Sequence, residues 1–325
     1  MGERRKPQDG RYSAVVGNRS VDLRCVVLPS VWGESAVLRI LDTSSMSVNF
    51  DHLGFAPDMM ASLSNLLRRS NGAILVTGPT GAGKSTTLCS ALRRISGPQI
   101  KTLAIEDPIE YRIAGVSQHQ VEAKRGFTFA TALRSFVRAD ADVIFVGEIR
   151  DRETAEMAMD AAFTGHLVLS SFHARSAVST PIRLTEMGLA PYTIAAGLSA
   201  VLGQRLLRRL CPQCKTPDTR PLDDVDWGEH GRPPEIWTTR QATGTGTVGC
   251  AQCAYTGYKG RLAVGELLVV DDEIIAAIAE RIPLRELTAI ARRAGMTTLW
   301  SDAMRRVAEG STSVDEAYRV IRETA

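Results

Sequence analysis

The chain has 325 residues, 44% hydrophobic and 23% charged, with a net charge of +3. That length holds an α/β core of roughly 200–250 residues plus appendages, and so small a charge neither demands nor excludes a nucleic-acid partner. No run of 18 apolar residues is present to cross a membrane, and residues 1–6 lack the apolar stretch of a secretory signal, so the chain reads as cytosolic.

Residues 12–16, 21–27 and 36–41 alternate apolar and polar, with Gly17-Asn18 and residues 29–33 between them. This predicts an antiparallel unit of about three strands, whose edges need covering. The Ser-rich stretch 42–50 suits a linker. From about residue 57 the pattern becomes α/β. Residues 58–69 are amphipathic, 73–77 form a short apolar strand, and 85–95 form a helix after a Gly-rich turn. Further strands are predicted at 101–105, 143–146 and 167–170, with helices at 129–138 and 152–164. That alternation predicts a parallel sheet with ligands at the carboxyl ends of its strands. Residues 215–249 are rich in Pro, Gly, Thr and Asp without periodicity and read as irregular. The remainder reads as helical: Pro283 opens a helix that Gly295 closes, Gly310 closes the next, and Ser313 with Glu316 forms a capping box for the last.

Between the 73–77 strand and its helix stands Gly78-Pro79-Thr80-Gly81-Ala82-Gly83-Lys84-Ser85, a match to G-x-x-x-x-G-K-[ST]. The glycines let backbone N–H groups curl around a β-phosphate at a helix N-terminus, which Thr86 continues. Lys84 is placed for the β- and γ-phosphates and the Ser85 hydroxyl for Mg²⁺, so ATP and magnesium are the expected cofactors. Such a loop needs a carboxylate at a neighbouring strand end to hold the metal and orient water. Two stretches offer one: Glu106-Asp107-Pro108-Ile109-Glu110 and Gly147-Glu148-Ile149-Arg150-Asp151. An exposed carboxylate is the commoner meaning of an acid at a strand end, but a neighbouring phosphate loop reverses that. Glu148, directly after the longest apolar strand, is the first choice for magnesium. His173 could sense the γ-phosphate, although a lone histidine is more often structural. His166, beside Gly165, reads as a turn residue.

Four of the six cysteines fall in two pairs, Cys211-Pro212-Gln213-Cys214 and Cys250-Ala251-Gln252-Cys253. Each C-x-x-C turns both sulfurs toward one ion, and four thiolates complete a closed tetrahedral zinc site; a redox pair is the alternative. Cys25 and Cys89 lie in apolar runs and read as core.

These motifs, with Arg5-Lys6-Pro7-Gln8-Asp9-Gly10-Arg11, Thr164-Gly165-His166-Leu167-Val168-Leu169 and Thr256-Gly257-Tyr258, resemble the secretion ATPases of type II secretion and type IV pilus assembly (GspE- and PilB-like), in that family's order over nearly the whole chain. The resemblance implies an α/β, RecA-like P-loop core at 49–208. It also implies a partial N-terminal antiparallel β domain with linker at 1–48, a four-cysteine zinc module at 209–262 and a C-terminal helical subdomain at 263–325. It implies a homo-hexamer, ATP between neighbouring subunits, and work at the cytoplasmic face of the inner membrane with platform proteins, driving pilin or pseudopilin assembly. No nucleic-acid partner is expected. Glu148 becomes the Walker B glutamate, Glu106 and Glu110 the acidic box near water and metal, and His173 the histidine of the His box. Arg11 and Arg24 match arginines that reach nucleotide from the other domain, with Arg134 and Arg138 as second-tier candidates. The His box departs from its usual Thr-Leu-His-Thr-Asn, reading Ser171-Phe172-His173-Ala174-Arg175. The chain begins inside the family's second domain, which leaves docking through the first domain an open expectation. A DNA-translocating ATPase and a non-hydrolysing nucleotide scaffold are the competing readings.

Overall fold

The computed structural model describes residues 4–17, 19–42, 49–228, 231–239 and 248–321. The first three strands, β1 (Gln8–Val16), β2 (Arg19–Ser30) and β3 (Gly33–Asp42), form an antiparallel sheet in that order. They outrun the alternating segments because the second turn narrows to Val31-Trp32, with Ser30 paired to Gly33 at a φ of 125°. Both turn residues are more than nine-tenths exposed. Most of the predicted linker, 43–48, lies outside the described residues.

The body follows as α1 (Pro57–Leu66), β4 (Gly72–Thr77), α2 (Lys84–Ile95), β5 (Thr102–Glu106) and β6 (Val116–Gln120). Next come α3 (Phe129–Phe136), β7 (Val143–Glu148), α4 (Arg152–Phe163) and β8 (Leu167–Phe172). Then follow α5 (Ser179–Glu186), α6 (Pro191–Gly197), β9 (Leu198–Leu210), the short pair β10 (Lys215–Pro217) and β11 (Trp237–Thr239), and β12 (Tyr258–Val269). Helices α7 (Asp272–Ala279), α8 (Leu284–Arg293), α9 (Leu299–Ala308) and α10 (Val314–Ile321) complete the described chain.

One seven-stranded sheet, ordered β12-β9-β4-β8-β7-β5-β6, organises this body. Six strands run parallel, and β12 closes the β9 edge antiparallel. Strands β4, β5 and β8 are buried throughout, as strands covered on both faces must be. Their alternation sorts side chains between two cores: Leu75, Ile105 and Val168 join the α3–α8 side, while Ile74, Val76 and Leu169 join α1 and α2. A third core packs α9 and α10 against Leu207, Leu262 and Val264 of β9 and β12.

Strand β12 departs from the sequence reading, in which the chain beyond residue 249 was helical, and runs continuously across residue 262; β9 falls in a stretch for which no element was predicted. Two long antiparallel partners, joined through an excursion, leave no local turn signal to find. The predicted capping box is half formed. Ser313 Oγ accepts the Glu316 N–H at 3.2 Å, but the Glu316 carboxylate turns instead to the guanidinium groups of Arg208 and Arg319. Among the described residues, no helix is long and apolar enough to cross a membrane.

Candidate nucleotide site

The Gly-rich loop leaves the end of β4 and enters α2 through Gly83, whose φ of 89° is left-handed. A Cβ at Gly83 would stand 2.8 Å from Gln204 Nε2, and one at Gly78 would stand 2.5 Å from the Gln204 carbonyl. Glycine is therefore needed at both positions for close packing as well as for backbone freedom. Thr80, Gly81 and Ala82 complete the curl; Ser85 and Thr86 lie in the first turn of α2. Lys84 folds back, its Nζ donating to the carbonyls of Gly78 (2.7 Å) and Pro79 (3.1 Å). Burial lowers its pKa against the opposing charge of Glu148, and Arg205 adds to the lowering.

Glu148 ends β7 beside this lysine. One carboxylate oxygen accepts from Arg150 Nη2 at 2.6 Å, and the other lies 3.8 Å from His173 Nε2, just past the end of β8. Burial, and then the charge of Lys84, pull the His173 imidazole below its ordinary pKa, so it stands neutral near pH 7. Glu106, at the end of β5, is 6% exposed, and burial pushes its carboxyl up to about 7. Gln118 donates to it at 2.8 Å. Lys84, Glu148 and His173 thus converge at the carboxyl ends of β4, β7 and β8, with Glu106 on the neighbouring strand.

The arginines fall elsewhere. Arg24 lies 3.7 Å from Glu110, joining the N-terminal sheet to the rim of the site. Arg11 is opposite Arg24 in the strand register, and its side chain lies outside the described residues. Arg134 is bound to Glu153, and Arg138 lines a separate cleft of about 1000 Å³ at the amino ends of β7 and β8. His166 Nδ1 lies 3.0 Å from the Ala161 carbonyl at the α4–β8 turn.

Sequence reasoning missed Gln204 and Arg205, a buried polar pair on β9 that borders the loop. The available signal was two adjacent polar residues within the apolar run 198–207.

Away from this site the four paired cysteines gather at the tip of β9 and β12. Their sulfurs lie within 4.8 Å of one another, with Cys211–Cys250 at 3.9 Å, Cys214–Cys253 at 3.8 Å and Cys250–Cys253 at 3.9 Å. Thiolates about 2.3 Å from one ion in a tetrahedron stand about 3.8 Å apart. No disulfide forms among the described residues. The backbone N–H groups of Cys250 and Gly257 draw the Cys253 thiol down to about 6, while burial pushes Cys214 up to about 12. The cluster fits a cation, whose charge would draw all four to thiolates.

Comparison with known proteins gives this geometry a context. The family model described as "Type II/IV secretion system protein" matches residues 1–319. The type IV pilus assembly ATPase PilB of Thermus thermophilus is 46% identical over 319 residues, 97% of this chain and 35% of that protein. The type II secretion system protein HxcR of Pseudomonas aeruginosa is 42% identical over 323 residues, 99% of this chain and 64% of that one. The chain thus spans less than two thirds of either relative. Among solved structures, the pilus retraction motor PilT with bound ADP superposes with a TM-score of 0.67 at 27% identity, covering 99% of this chain and 78% of PilT. The ATPase DotB of Legionella pneumophila, at 22% identity and a TM-score of 0.65 over 98% of this chain and 78% of its own, shares the fold. A family match spanning all but the last six residues, carried by a chain with this loop and these strand-end acids, settles the assignment: the chain belongs to the type II/IV secretion system protein family.

Proposed function

We propose that this chain is the nucleotide-hydrolysing portion of a motor that assembles pilins or pseudopilins in type IV pilus biogenesis or type II secretion. The observation that carries the reading is the convergence of Lys84, Glu148 and His173 on a glycine-lined phosphate cradle in a chain 46% identical to a pilus assembly ATPase. The cradle fits a polyphosphate: Gly78 and Gly83 admit no side chain, and Lys84 occupies the loop's own carbonyls, which it can exchange for phosphate oxygens.

In this reading residues Gly78 to Thr86 hold the phosphates of ATP, and Lys84 offers its charge to the β- and γ-oxygens. Ser85 and Glu148 are the residues that would hold magnesium, which when bound neutralises charge developing on the transferred phosphoryl group. Glu148 orients water with Glu106 and Glu110, while the neutral His173 offers a hydrogen bond at the γ-phosphate side. Arg11 and Arg24 complete the site when the N-terminal sheet closes on a neighbouring subunit's nucleotide, which requires a homo-hexamer. The divisions at 1–48, 49–208, 209–262 and 263–325 follow these roles, with β12 crossing the boundary between the last two. Cys211, Cys214, Cys250 and Cys253 hold one structural zinc, which elemental analysis should detect. The assembled motor works at the inner membrane with platform proteins and takes no nucleic acid.

The test separates binding from chemistry. Glu148→Gln should retain ATP affinity and lose about a hundredfold in turnover, about 2.7 kcal/mol of barrier. Lys84→Ala should lose nucleotide binding as well. Unchanged turnover in Lys84→Ala overturns the reading.

A further inference from the structure

Strand β9 carries a polar pair that none of the steps above uses. Gln204 is 2% exposed and faces the phosphate loop. Its Nε2 donates to the Ala82 carbonyl at 2.8 Å, and its Oε1 accepts the Thr87 hydroxyl at 2.8 Å. One side chain therefore ties the backbone of the loop to the first turn of α2. Arg205, 3% exposed, donates to the Gln204 carbonyl at 2.9 Å and to the Arg175 carbonyl at 2.7 Å. Its Nε has no partner among the described residues. Glu266 on β12, whose carboxylate accepts the Ala177 N–H at 2.6 Å, supplies an opposite charge nearby. Burying these groups costs free energy that apolar residues in the same strand would not incur. The arrangement is explained if it fixes the loop.

We propose that Gln204 is a positioning residue for phosphate binding, held in place by its position within the buried strand β9. This rests on the nucleotide reading of the loop. A loop with glycines at 78, 81 and 83 has wide backbone freedom, and binding a phosphate must remove it. A bridge from β9 removes that freedom in advance, so the N–H groups face the anion before it arrives. Because the restraint acts on the loop that holds the β-phosphate, it serves ADP and ATP equally.

The experiment is calorimetric titration of the full chain with ADP, alongside thermal melting of each variant. Gln204→Met keeps the volume and removes both hydrogen bonds. It should weaken ADP binding about tenfold at a temperature well below its melting point, the loss expected for one hydrogen-bonded bridge. Gln204→Glu should be at least as weak, because an acceptor then faces the Ala82 carbonyl. Thr87→Val breaks the bridge from its other end and should cause a comparable loss, and the Gln204→Met/Thr87→Val double variant should bind no more weakly than either alone. A lowered melting point with unchanged ADP affinity in all three single variants overturns the positioning role and leaves the nucleotide reading standing. Failure of the unmodified chain to bind ADP overturns both.

Discussion

The two ends of the described chain attach to the same body in opposite ways. The C-terminal helices are anchored through three carboxylates that are almost wholly buried. Asp302 accepts the Gly265 N–H at 2.9 Å, Glu316 accepts the Arg208 N–H at 2.9 Å and its guanidinium at 2.7 Å, and Glu266 faces both the Ala177 and Leu299 N–H groups. The N-terminal sheet shows the reverse. Tyr12, Val15, Leu38 and Ile40 are all more than half exposed, and the sheet meets the rim of the site through the Arg24–Glu110 pair at 3.7 Å. A buried, fully bonded carboxylate locks an element in place because separating it from its donors strands it in a low dielectric. The single Arg24–Glu110 contact, long at 3.7 Å and partly solvated on both sides, is worth on the order of 1 kcal/mol. The C-terminal layer therefore moves with the sheet, whereas the N-terminal sheet can be repositioned at small cost, as a unit that delivers Arg24 to a neighbour would need.

The sharpest way to break this contrast is at the C-terminal anchor. Glu316→Ala removes the buried carboxylate that accepts from the Arg208 N–H and from the half-exposed guanidinium groups of Arg208 and Arg319, and should cost about 1.5–3 kcal/mol, read as a fall in denaturation midpoint at constant slope. A loss below about 1 kcal/mol would make the two attachments alike. A second test lies at the rim, where Glu106 stands behind Glu110. The folded chain keeps the Glu106 proton up to about 7, against 4.5 for an exposed glutamate. Across that window the folded state holds more protons than the unfolded, so stability falls as pH rises through it, by on the order of 3 kcal/mol. Glu106→Gln should therefore melt above the parent chain at pH 8 and with it at pH 4.5, while losing turnover. The smallest effect belongs to the N-terminal sheet. Arg24→Ala should change stability by less than about 1 kcal/mol. It should nevertheless abolish the rise of specific activity with protein concentration that subunit-delivered arginines produce. A drop of several kcal/mol would show the sheet to be anchored after all.

What was legible in the sequence was whatever chemistry fixes at short range. The phosphate loop, the acids directly after apolar strands and the paired cysteines require particular residues at set local spacings, and strands β4, β5, β7 and β8 announce themselves as bounded apolar runs. What was hidden depends on partners far along the chain. Gln204 meets Thr87 and Ala82 at separations of 117 and 122 residues, so its role is invisible until β9 lies beside β4. Strand β12 resembles a continuation of the helical region because its partner is already past before the cysteine pairs begin. Glu316 fitted a local capping box, and a longer-range attraction won: two guanidinium groups offer a buried carboxylate more than one backbone N–H. Arg24 gave the position of its strand but not its contact with Glu110.

The pairing of β9 with β12 has one more consequence. Leu210 stands opposite Tyr258, and the Cys211 N–H donates to the Gly257 carbonyl at 2.9 Å, so the excursion 211–257 leaves and re-enters the sheet at a single doorway. A segment whose two ends already touch can be lengthened, exchanged or cut back to a tight turn without rethreading any strand. The excursion is nonetheless tied down beyond that doorway: Ile236 joins the core under α9 and α10, Lys215 donates to the Gly310 carbonyl and Arg220 pairs with Asp315, so shortening it would also open that core.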